Sequence, residues 1–310
     1  MLPKEPARRP QLGFLYVPPF RIQGLSIAGE ETVVHVPELD VAFDIGLCPK
    51  AVLPAPYVAL THGHMDHIAG LGYYFSQRPF QGMTPGTVVC HPLLRAPIVG
   101  LMEAWAQIER QRVPHEIVTL EPGESLEVKN NHFLEAWKTD HTEPSLGYTV
   151  IEKRTRLKES YQGLEQDELV KLKKAGTDIV DTFRIPLVAY TGDTAFGDHL
   201  LTDVVLKAKV LIAECTFIEP GHRKRAGIGR HLHLEHIIEL LEQGENEAIV
   251  LTHLSRRSHM GQVRRAIERA VPERHRHRLF VLMDNRANRE RYDAQLAAAE
   301  RDAAPAPDAG

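Results

Sequence analysis

Three histidines and an aspartate lie within six positions of one short segment, Thr61-His-Gly-His-Met-Asp-His67. Imidazole nitrogens and carboxylate oxygens are ligands that Zn²⁺ and related divalent ions prefer in proteins. His62 and His64 are two residues apart, so on an extended segment their side chains point the same way. Asp66 and His67 follow past a turn, where they can face a second ion. The segment therefore predicts a metal site.

Further imidazole and carboxylate groups follow apolar runs later in the chain, where strands are expected to end. The carboxyl ends of strands are where α/β-type folds place their sites, so we expect these groups to converge on the same point. The candidate ligands are His62, His64, Asp66, His67, His141, Asp193 and His253. Seven such ligands suit two ions that share one carboxylate, for which Asp193 is the natural bridge.

The ligand set also indicates the metal and the reaction. Nitrogen and oxygen ligands without a thiolate favour two Zn²⁺ per chain, with Mn²⁺ or Fe as alternatives. A pair of such ions activates water and stabilises a phosphoryl or carbonyl oxygen, which predicts hydrolysis.

Short apolar segments and amphipathic segments must position these ligands. Alternating apolar runs predict strands near 12–17, 22–27, 32–36, 41–45 and 57–61, with others at 88–90, 126–128, 133–138 and 145–152. Strands at 187–190, 210–213, 248–252 and 279–283 alternate with helices at 234–242, 261–270 and the C-terminal region, and a further helix is predicted at 93–111. Each half is expected to supply one sheet, and the two sheets pack face to face with helices outside, an α/β (α+β) αββα sandwich.

The domain prediction is one catalytic domain over 1–302, followed by a disordered tail at 303–310. Residues 153–184 change character: a basic run at 153–158 interrupts the strand pattern, and a short polar helix is expected at 165–174. This stretch is interpreted as a surface insertion. Asp44 follows a strand, where it either orients a metal-binding histidine or only ends that strand.

The amino-acid composition limits the class of protein to which the chain can belong. The chain has 310 residues, 43% hydrophobic residues and a net charge of −4, values that are ordinary for a globular protein with a real core. Three scattered cysteines without CxxC spacing indicate a reducing compartment and no cysteine-based metal site. No apolar run approaches the length of a membrane span, and no apolar signal core is visible at the start. A cytoplasmic protein without a membrane partner is therefore expected.

The heptapeptide resembles the HxHxDH signature of the metallo-β-lactamase superfamily, and His141, Asp193 and His253 match its later metal motifs in order. The resemblance covers about residues 12–285 and implies a four-layer αββα sandwich with a dinuclear zinc site. Two further features are similar to tRNase Z, closest to the short plant form. Ala213-Glu-Cys-Thr-Phe217 resembles the family's HEAT-type loop, with alanine in place of its histidine. His231 occupies the position of the family's additional catalytic histidine.

The resemblance also implies roles for individual residues. One zinc ion would be bound by His62, His64, His141 and Asp193, and the other by Asp66, His67, Asp193 and His253. Asp66 would help orient the attacking water, while His231, held and polarised by Glu214, would donate a proton to the leaving 3′ oxygen. The implied activity is removal of the 3′ trailer of precursor tRNA, leaving a 3′-hydroxyl. A homodimer is implied by the resemblance alone.

Two departures and two alternatives accompany this interpretation. The long glycine- and proline-rich arm of the family is not evident, so residues 222–230 and Arg264-Arg265 are expected to carry more of the phosphate contacts. His233 is a second imidazole close to His231, which we favour as the acid. The alternative function is a hydrolase of the same fold that acts on a small phosphodiester or a thioester. An inactive metal-binding scaffold is disfavoured because every ligand position is filled.

Overall fold

Residues 11–303 are described by a computed structural model, in which two mixed β-sheets face each other. The first sheet contains β1 Gly13–Val17, β2 Phe20–Ala28, β3 Glu31–Val36, β4 Val41–Phe43, β5 Tyr57–Ala59, β6 Thr87–Cys90, β7 Glu116–Thr119 and, from much later in the chain, β14 Leu254–Ser255. The second contains β8 Ser125–Lys129, β9 His132–Lys138, β10 Leu146–Leu157, β11 Val180–Tyr190, β12 Val210–Glu214, β13 Ala248–Thr252 and β15 Leu279–Val281.

Each sheet changes from antiparallel to parallel pairing along its width. Neighbours from β1 to β4 are antiparallel and those from β4 to β7 are parallel, while in the second sheet β8 to β11 are antiparallel and β11, β12, β13 and β15 are parallel. Parallel strands deliver their carboxyl ends to the same edge of a sheet. The residues that follow β11, β12 and β13 therefore emerge at one edge of the second sheet, and the segment that follows β5 of the first sheet meets them there, with His62 3.9 Å from Asp193.

Helices cover the outer faces of both sheets. The helices are α1 Met65–Ile68, α2 Leu71–Phe80, α3 Pro92–Glu109, α4 Gln166–Lys174, α5 Asp203–Leu206, α6 Arg223–Gly229, α7 Leu234–Gln243, α8 Met260–Ala270, α9 Glu273–Arg276 and α10 Asn285–Ala303, of which α4 buries no side chain. No helix in the described part of the chain is long and apolar enough to cross a membrane.

Three apolar clusters hold the layers together. Phe43, Tyr148 and Val188 belong to the cluster between the two sheets. One outer cluster joins the first sheet to α2 and α3, and the other joins the second sheet to α7 and α8. The layers therefore follow the order helix, sheet, sheet, helix, which confirms the αββα sandwich expected from the sequence.

The structure corrects four local predictions. The basic run at 153–158 does not interrupt a strand, because β10 continues to Leu157 and pairs with β11 as far as Val180. The side chains there are exposed, so pairing with a neighbouring strand makes this segment extended, and apolar periodicity does not reveal it. Residues 222–230 were expected to form a basic loop, but most of them form the helix α6. The short strand β7 was not predicted from the sequence. Ala303 ends α10, whereas residues 304–310 of the expected tail lie outside the described residues.

Candidate metal centre

The structure brings all seven candidate ligands together in a cleft at the edge where β5, β11 and β13 end. His62 and His64 follow β5, and Asp66 and His67 lie on α1. The ligand atoms of four residues lie within 4.8 Å of one another: His62, His64, His141 and Asp193. The ligand atoms of a second group satisfy the same limit: Asp66, His67 and His253. A third group, Asp193, His231 and His253, satisfies the same limit, so the cluster offers enough ligand atoms for two ions.

Asp193 lies between the two groups. Its Oδ2 atom is 3.9 Å from His62 Nε2, 3.8 Å from His141 Nε2, and 3.3 Å from the Nε2 atoms of His67 and His253. Burial opposes ionisation of this carboxyl, but the surrounding histidines hold its pKa well below the usual range. A single ionised carboxylate therefore faces both groups.

Gly192 allows Asp193 to come this close. Its backbone has φ +57°, and a Cβ atom at this position would lie 2.6 Å from Cγ2 of Thr61. A larger residue would strain the backbone and push β11 away from the segment that follows β5.

Two buried nitrogen atoms indicate that this cluster fits metal ions. Nε2 of His62 and Nε2 of His67 are buried, and neither forms a well-aligned hydrogen bond with the part of the chain that the structure describes, although His67 Nε2 lies 3.3 Å from Asp193 Oδ2. Burial and the neighbouring His67 lower the pKa of His62 to about 2, so its imidazole is neutral, the form that binds a metal. An unpaired buried nitrogen costs free energy unless another partner is present. A divalent ion is the partner that this donor set suits.

Asp44 determines which nitrogens face the cluster on the first-sheet side. Its side chain is fully buried and accepts from His67 Nδ1 at 2.8 Å and from the Thr61 hydroxyl at 2.9 and 3.0 Å. The Thr61 hydroxyl gives its only hydrogen to Asp44, so it accepts from His62 Nδ1 at 3.0 Å. Both imidazoles consequently present Nε2. The structure therefore favours the orienting role for Asp44 over the role of a strand end.

Glu214 performs the equivalent task on the second-sheet side. It is 1% exposed, and its Oε1 accepts from His231 Nδ1 at 2.9 Å. Its Oε2 accepts from the Thr216 hydroxyl at 2.7 Å, and Thr216 in turn lies 3.0 Å from His253 Nδ1. The contacts through Thr61 and Thr216 were missed by sequence reasoning, because proximity in sequence does not show where a hydroxyl points.

His231 stands at the mouth of the same cleft. Its ring centroid is 4.8 Å from that of His141 and 5.4 Å from that of His253. Burial lowers its pKa, but the hydrogen bond and negative charge of Glu214 outweigh burial, so the pKa of His231 is raised. The result is an imidazole that retains a proton more readily than usual beside the candidate ligands.

His233 is placed elsewhere. Its Nδ1 accepts from the backbone N–H of Glu235 at the start of α7, and its Nε2 donates to the carbonyl oxygen of Glu219 at 2.9 Å. Both nitrogens are occupied by backbone groups, so His233 caps a helix. Of the two imidazoles, His231 is the one that faces the cleft.

The basic side chains considered for phosphate contacts are not equivalent. Arg223 pairs with Glu235 at 3.0 Å, and Arg230 lies 3.4 Å from Asp140. Arg264 forms a bidentate ion pair with Asp284, at 2.7 and 2.5 Å. Because its guanidinium is already occupied, the expectation of a free phosphate contact at Arg264 is not supported.

Comparisons with known proteins agree with this geometry. Residues 47–254 match the family described as Beta-lactamase superfamily domain. The chain is 34% identical over 270 residues to tRNase Z TRZ1 of Arabidopsis thaliana, an alignment that covers 85% of this chain and 95% of that protein. It is 33% identical over 255 residues to tRNase Z TRZ2, chloroplastic, of the same plant, covering 80% of this chain and 71% of that protein.

Solved structures share the fold at lower identity. The short form of human tRNase Z, ELAC1, superposes with a TM-score of 0.53 at 16% identity, covering 79% of this chain and 93% of that one. The metallo-β-lactamase fold protein YhfI from Bacillus subtilis gives a TM-score of 0.56 at 16% identity, covering 85% of this chain and 96% of that one. With the family match and the plant relatives, these findings mean that the chain belongs to the tRNase Z family of the β-lactamase superfamily.

Proposed function

We propose that this protein is a zinc-dependent endoribonuclease that removes the 3′ trailer of precursor tRNA and leaves a 3′-hydroxyl on the tRNA. The observation that carries the proposal is the pair of Glu214 and His231, directed at the cluster of seven candidate ligands. Hydrolysis of lactams and thioesters does not need such a pair. Cleavage of a phosphodiester does, because its alkoxide leaving group requires a proton.

The seven side chains divide between two Zn²⁺ ions. His62, His64, His141 and Asp193 would hold one ion, and Asp66, His67, Asp193 and His253 would hold the other. When bound, the ions activate water and stabilise the charge of the scissile phosphate. The unpaired Nε2 atoms of His62 and His67 support this division.

Asp66 is suited to orient the attacking water. Its Oδ2 accepts from the backbone N–H of Gly29 at 2.9 Å and lies 3.4 Å from His253 Nε2. Burial opposes ionisation, but the hydrogen bond from His253 and the neighbouring imidazoles lower the pKa of Asp66. The group is therefore ionised, and its side chain remains 13% exposed toward the cleft.

His231 delivers the proton to the departing 3′ oxygen of the tRNA. The contact between His231 Nδ1 and Glu214 leaves Nε2 of the ring free to face the cleft, and the raised pKa of His231 favours the protonated ring. General acid catalysis of this kind contributes about 10²–10⁴-fold to a rate. Glu214 acts through His231, as a positioning residue.

Precursor tRNA is supported as the substrate by the relatives named tRNase Z. Their names also include a chloroplastic form, and we propose the cytoplasm for this chain because its three scattered cysteines indicate a reducing compartment. A single catalytic domain over 1–302 and a homodimer complete the proposal.

The test is to incubate the zinc-loaded protein with a 3′-extended precursor tRNA and to map both new ends. We expect a tRNA with a 3′-hydroxyl and a trailer with a 5′-phosphate, and no cleavage after zinc is removed by a chelator. Hydrolysis of a bis-aryl phosphate without cleavage of precursor tRNA would contradict the proposal and support the alternative, a phosphodiesterase of the same fold that acts on a small substrate.

A further inference from the structure

A cavity of about 560 Å³ opens beside the candidate metal centre. Thr216 forms one wall, and its hydroxyl is the group that contacts His253. Ala28 forms another, and the next residue, Gly29, donates its N–H to Asp66. The cavity therefore adjoins the group formed by Asp66, His67 and His253. Its volume lies in the range of sites that hold one small-molecule-sized group.

Three arginines line this cavity with unpaired charge. Arg225, Arg256 and Arg257 are exposed and form no ion pair with an acidic side chain among residues 11–303. This separates them from Arg223, which is paired with an acid. Glu219 adds one carboxylate to the lining. Because the cationic groups outnumber this carboxylate, the cavity favours an anion.

An aromatic ring lies in the same cavity. The Arg225 guanidinium is 5.9 Å from the ring centroid of Phe217, and the Phe217 ring is 6.3 Å from that of His231. Hydroxyl and amide groups of Ser255, Ser258 and Gln262 also line the cavity, together with Ile218 and with His222, which lies 3.3 Å from the Arg225 guanidinium. Single-stranded nucleic acid binds to this combination of an apolar ring, hydrogen-bonding groups and guanidinium groups without an acidic partner, by base stacking together with phosphate contacts.

We propose that this cavity binds one nucleotide of the RNA strand next to the scissile bond, with its base against Phe217 and its phosphate against Arg256 and Arg257. The inference rests on the proposed function and deepens it, because it assigns substrate affinity to residues outside the metal ligands and His231. It separates two tasks: the histidine cluster cleaves, while the cavity holds the strand.

The first test is the double variant Arg256→Gln/Arg257→Gln, assayed on 3′-extended precursor tRNA at several salt concentrations. We expect KM to rise about tenfold or more with kcat nearly unchanged. Loss of the contact to this one phosphate should reduce the slope of log affinity against log salt by about 0.7, the value for one phosphate of a single strand. Turnover of a bis-aryl phosphate, which is too small to use the cavity, should stay at the wild-type level.

The matched control is Arg289→Gln/Arg301→Gln, which removes two exposed arginines from α10 and should change neither KM nor the salt slope. A second variant, Phe217→Leu, should raise KM roughly tenfold through lost stacking while leaving the salt slope unchanged. Zinc content and melting temperature are measured for each variant to show that it is folded.

The outcomes distinguish this inference from the proposed function. If the wild-type protein cleaves precursor tRNA and the Arg256/Arg257 double variant behaves like the α10 control, the nucleotide subsite is wrong and the proposed function stands. A wild-type protein that does not cleave precursor tRNA overturns the proposed function, and this inference with it.

Discussion

Two buried carboxylates, one from each half of the chain, support the histidines of the cleft through the same pattern of contacts. Asp44 bonds His67 directly and reaches His62 through the Thr61 hydroxyl. Glu214 bonds His231 directly and reaches His253 through the Thr216 hydroxyl. In both places a threonine hydroxyl bonds the carboxylate and contacts a second imidazole, so one acid orients two rings.

The two carboxylates differ in what they support. Both histidines that Asp44 supports are candidate ligands, and Asp44 also accepts from the Tyr190 hydroxyl at 2.9 Å, a contact that joins the two sheets. Glu214 supports one candidate ligand and one histidine outside the ligand set. We therefore expect the first carboxylate to serve metal binding and folding, and the second to link a candidate metal ligand to the proposed acid.

The largest effect is expected from Asp44→Ala. The change leaves the Tyr190 hydroxyl, His67 and the Thr61 N–H without their buried acceptor, so we expect the free energy of unfolding to fall by about 3–5 kcal/mol. Zinc content should fall as well. Urea denaturation and metal analysis measure both, with the exposed Asp181→Ala as control. Full zinc content and wild-type stability in the Asp44 variant would remove the distinction between the two carboxylates.

His231→Ala tests the other side of the comparison. Both metals should remain bound, and turnover of precursor tRNA should fall about 10²–10⁴-fold, because the leaving oxygen loses its proton donor. The measurement pairs zinc content with kcat, and His277→Ala, an exposed histidine, is the control. One ligand-like group contains His231 together with Asp193 and His253. Loss of a metal ion in the variant would therefore assign His231 to the ligands.

A buried histidine without a carboxylate provides a contrast in pH dependence. His35 is 4% exposed and contacts the Ala51 carbonyl and the Gln23 amide, and burial lowers its pKa to about 4. Between pH 6.5 and 4 the unfolded chain therefore binds more protons than the folded chain. The contribution of the neutral, buried His35 to the free energy of unfolding is fully present above pH 6.5 and is lost as the pH falls toward 4. We expect a loss of about 2–3 kcal/mol over this window.

His35→Gln keeps a donor for the Ala51 carbonyl and removes the titration. The variant should show a smaller decrease in the free energy of unfolding between pH 6.5 and 4 than the wild type, measured by urea denaturation at each pH. An equal decrease in both proteins would show that His35 does not titrate on unfolding.

The smallest effects are expected from the paired variants Thr61→Val and Thr216→Val. Each removes a hydroxyl that orients one candidate ligand, and zinc affinity should fall about tenfold in both, measured by competition with a chelator. At saturating zinc only Thr216→Val should also lower kcat, because its hydroxyl holds Glu214. Serine at either position should restore the wild-type values. Equal kcat in the two valine variants would contradict the proposed link through Glu214.

Much of the candidate site follows from the sequence, because its ligands stand directly after apolar strands. The heptapeptide after β5, Asp193 after β11 and His253 after β13 could be found from residue type and strand ends alone. The alternation of buried and exposed residues reports the faces of strands and helices, so the two sheets and their covering helices were predictable. The exposed outer part of β10 was not, because its extended form depends on pairing with β11.

The sequence by itself determined which side chains can bind metal and at which edge of the fold they lie. Tertiary structure alone decided their partners, because a hydrogen bond between Tyr190 and Asp44 joins residues 146 positions apart, and no local periodicity records that contact. The same holds for charge: Arg264 and Arg257 are both basic residues in the sequence, yet the fold places only Arg264 against a buried carboxylate. Spacing along the chain indicates local geometry, whereas the packing of the two sheets determines which side chains form hydrogen bonds and ion pairs with one another.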